Sequence, residues 1–315
     1  MCTAISLTPS DHYFGRTMDL APPLEGRILI LPRNCPISFC RRRSLDRHYA
    51  ILGMGRQEEG CPLYYEAMNE GGLAVAALNF PGWAQYGTGE GEEEIAPFEL
   101  IPWLLGQCAS VGDAVALLRR TRLTEEPFSS RVPLTPLHFL LSDRERSLVL
   151  EPVESGLRLH EAPAGVLTNS PDYDWQMTHL RTFLPLDPEE PRPGRLARQL
   201  KLTALSRGLG SFGLPGELSS PARLVRAAYF SAASRWPEKE EGRVSHMFHL
   251  LAACSLPMGS VRSPEGEWDY TQYTSCMNVS RGICYYKWYD KLSPRQVDLF
   301  KADLEDSRLL ETEGD

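Results

Sequence analysis

The feature that most constrains this chain is an apolar segment that begins at its second residue. The first residues are Met-Cys-Thr-Ala-Ile-Ser-Leu, a short alternating run typical of a β-strand, and Pro9 interrupts it. The first residues of a domain are usually mobile, and a mobile, exposed thiol is easily oxidised. We therefore expect a fold that buries this first strand and holds Cys2 in a fixed position.

Composition and charge exclude several classes of function. The 315 residues are 42% hydrophobic and 23% charged, values typical of a globular protein, and the formal net charge is -8. Because phosphate binding needs a basic surface, we expect no nucleic-acid partner. No segment reaches the roughly 20 apolar residues of a membrane helix, and the first residues do not resemble a signal peptide. We therefore expect a cytoplasmic protein with no membrane partner.

The eight cysteines favour neither a disulfide scaffold nor a metal centre. Cys35 and Cys40 lie close together, but no CxxC pair or matching histidine motif accompanies them. The chain also lacks a GxSxG nucleophile elbow, an HExxH motif and a glycine-rich phosphate-binding loop. We therefore expect no metal and no cofactor, and the common serine and zinc hydrolase mechanisms have no support.

Hydrophobic periodicity predicts strands, helices, strands, helices and strands, in that order. The predicted strands lie at 3–7, 13–20, 27–32, within 71–82, at 137–143, 147–153, 156–162 and 165–171, with a final hairpin in 268–290. The predicted helices are two within 97–121, separated between Gly106 and Gly112, and others at about 194–205, 221–233 and 239–257. This order indicates a layered α+β protein with antiparallel strands. The proline-rich segment 184–194 is interpreted as a surface loop, so we expect a single domain.

The position of Cys2 permits an unusual form of nucleophilic catalysis. Removal of Met1 would place a thiol and a free α-amine on the same residue. The α-amine has an unperturbed pKa of roughly 7.7–8.0, close to the value that suits a general base at neutral pH. One residue would then supply both the nucleophile and its base. On this dipeptide alone, an incidental cysteine is the simpler interpretation.

Six ordered segments favour the catalytic interpretation. They are MCTAISL, GRTMDL, NEGGLAVAALNFPG, LTNSPDYDWQ, LPGELSSPARLVRAAYF and YTSCMNVSRGICYYKWYD. In order and spacing they resemble the choloylglycine hydrolase family, which includes bacterial bile salt hydrolases and penicillin V acylases, from Cys2 to about Asp290. The resemblance implies an N-terminal nucleophile fold, a four-layer αββα sandwich with two antiparallel sheets. It also implies one domain over 2–315 after loss of Met1, assembled as a homotetramer.

The resemblance assigns roles to three residues near the start of the chain. Cys2 would attack the amide carbonyl and form a thioester acyl-enzyme. Asp19 would hold the α-amine, and Arg16 would lie beside the thiol, where a guanidinium favours the thiolate. Residues three apart in a strand face opposite sides, so a turn or bulge in GRTMDL is expected to bring Arg16 and Asp19 to one site.

Three further catalytic residues follow from the same resemblance. Asn79 and Asn169 each end an apolar strand shortly before a proline, and two such amides could hold a developing oxyanion. Arg223 lies in SSPARLVR, where a serine N-cap and Pro221 place it in the first turn of a helix. It matches the family's last active-site arginine, and Arg226 is the weaker candidate.

The expected substrates are conjugated bile acids, cleaved to release glycine or taurine. The alternative is an acylase for penicillin V or for N-acyl amides of the acyl homoserine lactone type, with the same chemistry. Penicillin V acylases typically carry tyrosine at the position of Asn79, so asparagine favours bile salts. A third possibility is a binding protein that has lost catalysis, but all six active-site positions match. Leu20, Phe80 and the segment 125–140 are expected to shape the substrate pocket.

Overall fold

The computed structural model describes residues 1–21, 23–88, 91–197, 200–263 and 266–312, and within them two large antiparallel sheets stack face to face. Strands are numbered in chain order. The first sheet runs β12 (Val166–Leu167), β1 (Cys2–Leu7), β2 (Tyr13–Leu20), β16 (Trp268–Asn278), β17 (Ile283–Trp288) and β18 (Arg295–Asp298), with β15 (Val261–Arg262) beside β16. The second runs β11 (Gly156–Glu161), β10 (Ser147–Val153), β9 (Leu137–Ser142), β6 (Ala74–Asn79), β5 (Cys61–Asn69), β4 (Ile51–Glu58), β3 (Arg27–Leu31) and β19 (Leu310–Glu311).

Helices cover the outer face of each sheet. The α-helices are α1 (Leu100–Gln107), α2 (Val111–Leu118), α3 (Tyr173–Leu180), α4 (Ser220–Ala233) and α5 (Glu240–Ala252). Single 3-10 turns lie at Pro97–Glu99, Arg181–Phe183, Leu209–Ser211 and Leu299–Lys301. Two small ribbons complete the described structure: β7 (Glu93–Ile95) pairs with β8 (Thr121–Leu123), and β13 (Gly194–Ala197) pairs with β14 (Leu200–Leu202). No helix among the described residues is long and apolar enough to span a bilayer.

Three apolar cores separate the four layers. The first lies between the second sheet and helices α1 and α2, and the third lies between the first sheet and helices α4 and α5. The middle core fills the space between the two sheets. Because side chains alternate along a strand, Ala4 enters the middle core while Ile5 packs in the third. The expected αββα sandwich of the N-terminal nucleophile type is confirmed.

The first strand is buried, as expected from its sequence. It lies inside the first sheet between β2 and β12, and both Ala4 and Ile5 are inaccessible to solvent. Ala4 pairs with Leu167, so the chain leaving β12 passes beside the start of β1. Cys2 pairs with Met18 near the end of β2. The sheet therefore brings the start of one strand and the ends of two others to the same place.

Two expectations for the second half of the chain were wrong. The region 194–205 was expected to be helical, but it contains the ribbon β13–β14; residues 198–199 lie outside the described part. Leu200 and Leu202 are exposed, so no core is present to stabilise the apolar face of a helix there. The segment 165–171 was expected to continue the β9–β11 meander, whereas only Val166 and Leu167 form a strand, in the opposite sheet. The break expected between two helices in 97–121 is confirmed.

Candidate active site

Cys2 is the first residue of β1 and lies at the end of the first sheet, where it lines a cavity. Its side chain is almost fully buried, and Sγ lies 3.8 Å from the sulfur of Met18. The cavity has a volume of about 340 Å³. Cys2, Arg16, Asp19 and Asn79 all line it, together with mainly apolar side chains from both sheets and helix α1. A mainly apolar cavity with a few polar groups on its wall is the usual arrangement of a small-molecule site.

The guanidinium of Arg16 lies between the sheets with no solvent access. Its Nη1 donates to the carbonyl oxygens of Ala77 at 2.8 Å and Tyr65 at 3.1 Å, and it pairs with the carboxylate of Glu66 at 3.3 Å. Burial lowers the pKa of Arg16, but the nearby groups of Cys2, Tyr273 and Glu66 outweigh burial and raise it. Arg16 therefore stays charged, and its position beside Cys2 allows it to favour a thiolate.

Asp19 lies on the opposite face of β2 from Arg16. Its carboxylate accepts hydrogen bonds from Thr271 at 2.6 Å and Thr17 at 3.1 Å, and it lies 3.8 Å from Nη1 of Arg223. Burial raises the pKa of Asp19, and Arg223 opposes this shift. The expected bulge in β2 is absent: the register shift lies in β16, between Thr271 and Tyr273. The site instead lies at the end of the sheet, with Arg16 on one face, Asp19 on the other and Cys2 between them.

Asn169 and Arg223 hold the backbone of Cys2. The Cys2 nitrogen donates to Asn169 Oδ1 at 2.7 Å, and Arg223 Nη2 donates to the same oxygen at 2.8 Å. Arg223 Nη1 donates to the Cys2 carbonyl and, at 2.7 Å, to Thr3 Oγ1. Ser219 caps helix α4, as expected, and this places Arg223 in the first turn with its side chain fully buried. The nitrogen of Cys2 is therefore fixed by a buried, charge-assisted network.

The two asparagines occupy different positions. Asn79 ends β6, is half-buried and faces the cavity. Asn169 contacts the backbone nitrogen of Cys2 through its Oδ1, and its Nδ2 donates to the Asn79 carbonyl at 2.8 Å. Among the described residues the cavity wall includes Asn79 and not Asn169. Asn79 can therefore reach an oxyanion, while Asn169 orients both the Cys2 nitrogen and the end of β6.

The remaining residues singled out from the sequence divide into two groups. Leu20 and the loop that includes Val132 line the cavity. Phe80 does not: it is fully buried and stacks on His138 with ring centroids 4.3 Å apart. Arg226 is turned away from Cys2, and its guanidinium donates to the backbone carbonyls at positions 215, 217 and 253.

Sequence reasoning missed two groups that support the site. Glu66 is fully buried and accepts hydrogen bonds from Tyr273 at 2.7 Å and Ser275 at 2.8 Å besides pairing with Arg16. A lone carboxylate inside the apolar strand LYYEAMN was the available signal, because a buried charge needs a partner. No comparable signal marks the second group, since its members come from distant parts of the chain.

This second group, the His138–Glu151 cluster, lies behind both asparagines. Nε2 of His138 lies 2.8 Å from the carbonyl of Thr168, the residue before Asn169, while its ring stacks on the residue after Asn79. Glu151 lies 3.6 Å from His138 and 3.2 Å from His160. The cluster therefore fixes the two strand ends that carry the amides. The described residues contain no group of three or more metal-ligating side chains arranged to hold an ion.

Comparisons with known proteins agree with this arrangement. Residues 2–312 match the family described as linear amide C–N hydrolases, choloylglycine hydrolase family. A bile salt hydrolase/transferase of Lactiplantibacillus plantarum is 40% identical over 311 residues, which is 98% of this chain and 96% of that protein. One of Clostridium perfringens is 33% identical over 315 residues, with 98% and 95% covered.

Solved structures show the same fold. A crystal structure of a mutant conjugated bile acid hydrolase from Clostridium perfringens superposes with a TM-score of 0.91 at 31% identity, covering 100% of this chain and 97% of that one. A penicillin V acylase from Agrobacterium tumefaciens superposes with a TM-score of 0.77 at 18% identity, covering 99% and 90%. The second match supports the shared fold alone.

Proposed function

Since the chain belongs to the choloylglycine hydrolase family of linear amide C–N hydrolases, we propose that it hydrolyses the amide bond of glycine- or taurine-conjugated bile acids. The observation that carries the proposal is the environment of Cys2. Its thiol opens into an apolar cavity, and its nitrogen is held at 2.7 Å by Asn169 Oδ1. Relatives at 40% and 33% identity are named as bile salt hydrolases, which supports the substrate class.

The proposed reaction uses Cys2 as both nucleophile and base. After Met1 is removed, the free α-amine accepts the thiol proton and Sγ attacks the amide carbonyl. Collapse of the tetrahedral intermediate breaks the C–N bond, and the proton passes to the leaving amine, glycine or taurine. Water then attacks the thioester, giving the bile acid and restoring the thiol.

The surrounding residues have distinct roles in this scheme. Arg16 favours the thiolate, and the amide of Asn79 donates to the oxyanion from the cavity wall. Asn169, Arg223 and Asp19 hold the α-amine in the position where it can take the proton. Removal of one oxyanion donor costs roughly 3–4 kcal/mol in other enzymes, so Asn79 is the residue in this set with the largest expected effect on kcat alone.

The cavity suits an apolar acyl group with few polar contacts. At about 340 Å³ it lies at the lower end of the roughly 300–1,000 Å³ typical of small-molecule sites. A steroid would contact the apolar side formed by Leu20, Leu24, Phe98 and Ile101, with its amide at Cys2. The alternative activity is that of an acylase, which would cleave the smaller acyl groups of penicillin V or of N-acyl homoserine lactones.

Side-by-side measurement of kcat/KM for glycocholate, taurocholate and penicillin V tests the proposal. We expect the bile salts to exceed penicillin V at least about tenfold, a difference of roughly 1.4 kcal/mol in transition-state binding. The Cys2→Ser variant should keep the fold and lose nearly all turnover. A preference for penicillin V would assign the chain to the acylase alternative, and near wild-type activity of the serine variant would refute Cys2 as nucleophile.

Three further properties belong to the proposal. We infer that active protein lacks Met1, and intact-mass analysis showing methionine on fully active enzyme would contradict this. We also infer that residues 2–315 form one domain of a cytoplasmic homotetramer. Exposed apolar side chains support an interface between subunits, and they include Leu184, Leu200, Leu202, Leu205 and Phe212. Sedimentation analysis of the purified protein measures the oligomeric state.

A further inference from the structure

Among the described residues, the wall of the cavity beside Cys2 carries one charged side chain that no described group neutralises. Arg16 is paired with Glu66, and Arg131, although it also lines the cavity, lies 3.4 Å from Glu58 and 3.7 Å from Glu59. Arg56 is half-buried and faces the same space. Within the described part of the chain, no carboxylate forms an ion pair with it.

The arrangement of β4 explains why the nearest carboxylate on its own strand is not paired with Arg56. Glu58 lies two residues further along the same strand and therefore on the same face. The carboxylate of Glu58 forms an ion pair with Arg131, which lies in the loop before β9. A half-buried cation in a mainly apolar wall is costly unless an anion accompanies it. The wall of the cavity thus provides a cationic position without its counter-charge.

The hydroxyl of Tyr65 provides a second, independent observation in the same cavity. Tyr65 lines the cavity, and its Oη is buried without a hydrogen-bond partner among the described residues. A buried hydroxyl is normally hydrogen-bonded, so this donor is available to a ligand. Burial raises the pKa of Tyr65 to about 12, and the charge of Arg56 opposes that shift.

A bulge in the second sheet aims Tyr65 into the cavity. Met54 pairs with Glu66 and Gly55 pairs with Tyr64, so Tyr65 has no partner across β4. Bulges of this kind redirect side chains and are common beside active sites. The carbonyl of Tyr65 accepts a hydrogen bond from Arg16 at 3.1 Å. Tyr65 therefore contacts the guanidinium of Arg16 through its backbone, while its side chain lines the same cavity as Arg56.

We propose that Arg56 and Tyr65 form an anion subsite that binds the carboxylate or sulfonate at the free end of the conjugated amino acid. The assignment rests on the proposed function, since it takes a conjugated bile acid as the substrate. In such a substrate the anionic group is only a few bonds from the scissile nitrogen, so its binding site has to lie close to Cys2. A guanidinium and a hydroxyl both donate to anionic oxygens. The steroid then occupies the apolar side of the cavity.

Two substrates of nearly the same shape but different charge separate this role from a general effect on the fold. The test compares kcat/KM for glycocholate and for its uncharged amide, cholylglycinamide, in wild type, Arg56→Gln, Arg56→Lys and Tyr65→Phe. Arg146→Gln is the matched control, because Arg146 pairs with Glu161 at 3.3 Å outside the cavity. Circular dichroism establishes that each variant is folded.

We expect Arg56→Gln to reduce the preference for glycocholate over its amide at least tenfold, mainly through KM for glycocholate. Arg56→Lys should restore most of that preference, and Tyr65→Phe should reduce it by about threefold, since one neutral donor is lost. Arg146→Gln should leave the preference unchanged. Equal losses on both substrates, or no loss on glycocholate, would overturn the subsite.

A binding measurement separates failure of the subsite from failure of the proposed function. Calorimetric titration of glycocholate into Cys2→Ser, with and without Arg56→Gln, does not depend on turnover. At least tenfold weaker binding in the double variant supports the subsite even if the wild type hydrolyses none of these compounds, in which case the hydrolase proposal alone fails. Binding of equal strength in the two variants, or no binding in either, refutes the subsite.

Discussion

Arg223→Met provides the sharpest test of the network that holds the nitrogen of Cys2. Methionine keeps the unbranched length of the side chain and removes every donor. The change removes the guanidinium that pairs with the buried carboxylate of Asp19, and it removes hydrogen bonds to Asn169, Thr3 and the Cys2 carbonyl. Breaking a buried pair by removing one partner costs about 3–5 kcal/mol. Because native stability is about 5–15 kcal/mol, the variant should fold but unfold at clearly lower urea.

The matched control is Arg226→Met, one turn along helix α4. Arg226 is also buried and also donates to three backbone carbonyls, but none of its contacts reaches Cys2, Asp19 or Asn169. Each orphaned buried acceptor costs about 1–3 kcal/mol, so this variant should lose comparable stability. Its folded fraction should nevertheless hydrolyse glycocholate at close to the wild-type rate.

The pH profile shows whether Arg223 acts through Asp19. Burial already raises the pKa of Asp19, and Arg223 is the largest opposing influence, so its removal should raise that pKa further. The carboxyl would then keep its proton to a higher pH and no longer hold a positively charged amine. We expect kcat in Arg223→Met to fall at least a hundredfold and the acid limb of the kcat/KM profile to move to higher pH. Equal activity and identical profiles in Arg223→Met and Arg226→Met would refute the role of Arg223.

Three other predictions concern separate parts of the molecule. Asn79→Ala should lower kcat by about 10²–10³ with little change in KM, as steady-state kinetics on glycocholate would show. His160→Gln should lower stability against urea at pH 5.5 but not at pH 9. Glu151 raises the pKa of His160, while burial opposes that shift. The charged His160 therefore contributes its full stabilisation below the unfolded pKa of about 6.5, and this stabilisation is lost as the pH rises through the folded pKa. Iodoacetamide at pH 7.5 should label Cys2 before Cys108, since burial raises the pKa of the Cys108 thiol to about 12; peptide mass mapping would detect the reverse order.

The periodicity of hydrophobic residues was sufficient to predict the elements that pack an apolar face against a core. β1 and β6 alternate or run continuously because they are buried between layers, and α1 and α2 separate where the apolar spacing is interrupted. It failed for the ribbon β13–β14, whose leucines are exposed, so their spacing carries no information about a core. It also could not show that the strand before Asn169 crosses to the other sheet, because pairing partners are not encoded in a single strand.

The list of expected catalytic residues came from the family resemblance, but their geometry did not. The strand spacing placed Arg16 and Asp19 on opposite faces and called for a turn or bulge in GRTMDL to bring them to one site; the strand does keep them on opposite faces, and both line the cavity at its end. Periodicity cannot reveal that Cys2 lies at the end of the sheet, where both faces are reachable. It also cannot distinguish the amide of Asn79, which faces the cavity, from that of Asn169, which lies below the backbone.

The position of Cys2 at the sheet end explains why so many buried charges surround it. In the proposed mechanism Cys2 begins the chain once Met1 is removed, so no preceding residue holds it and its nitrogen and carbonyl need side-chain partners. Asn169 and Arg223 supply those contacts, and the buried charge of Arg223 requires a counter-charge, which Asp19 provides on one face. On the other face Arg16 requires Glu66. The burial that fixes the thiol of Cys2 therefore requires charged partners, and in the proposed mechanism the same residues make that thiol reactive.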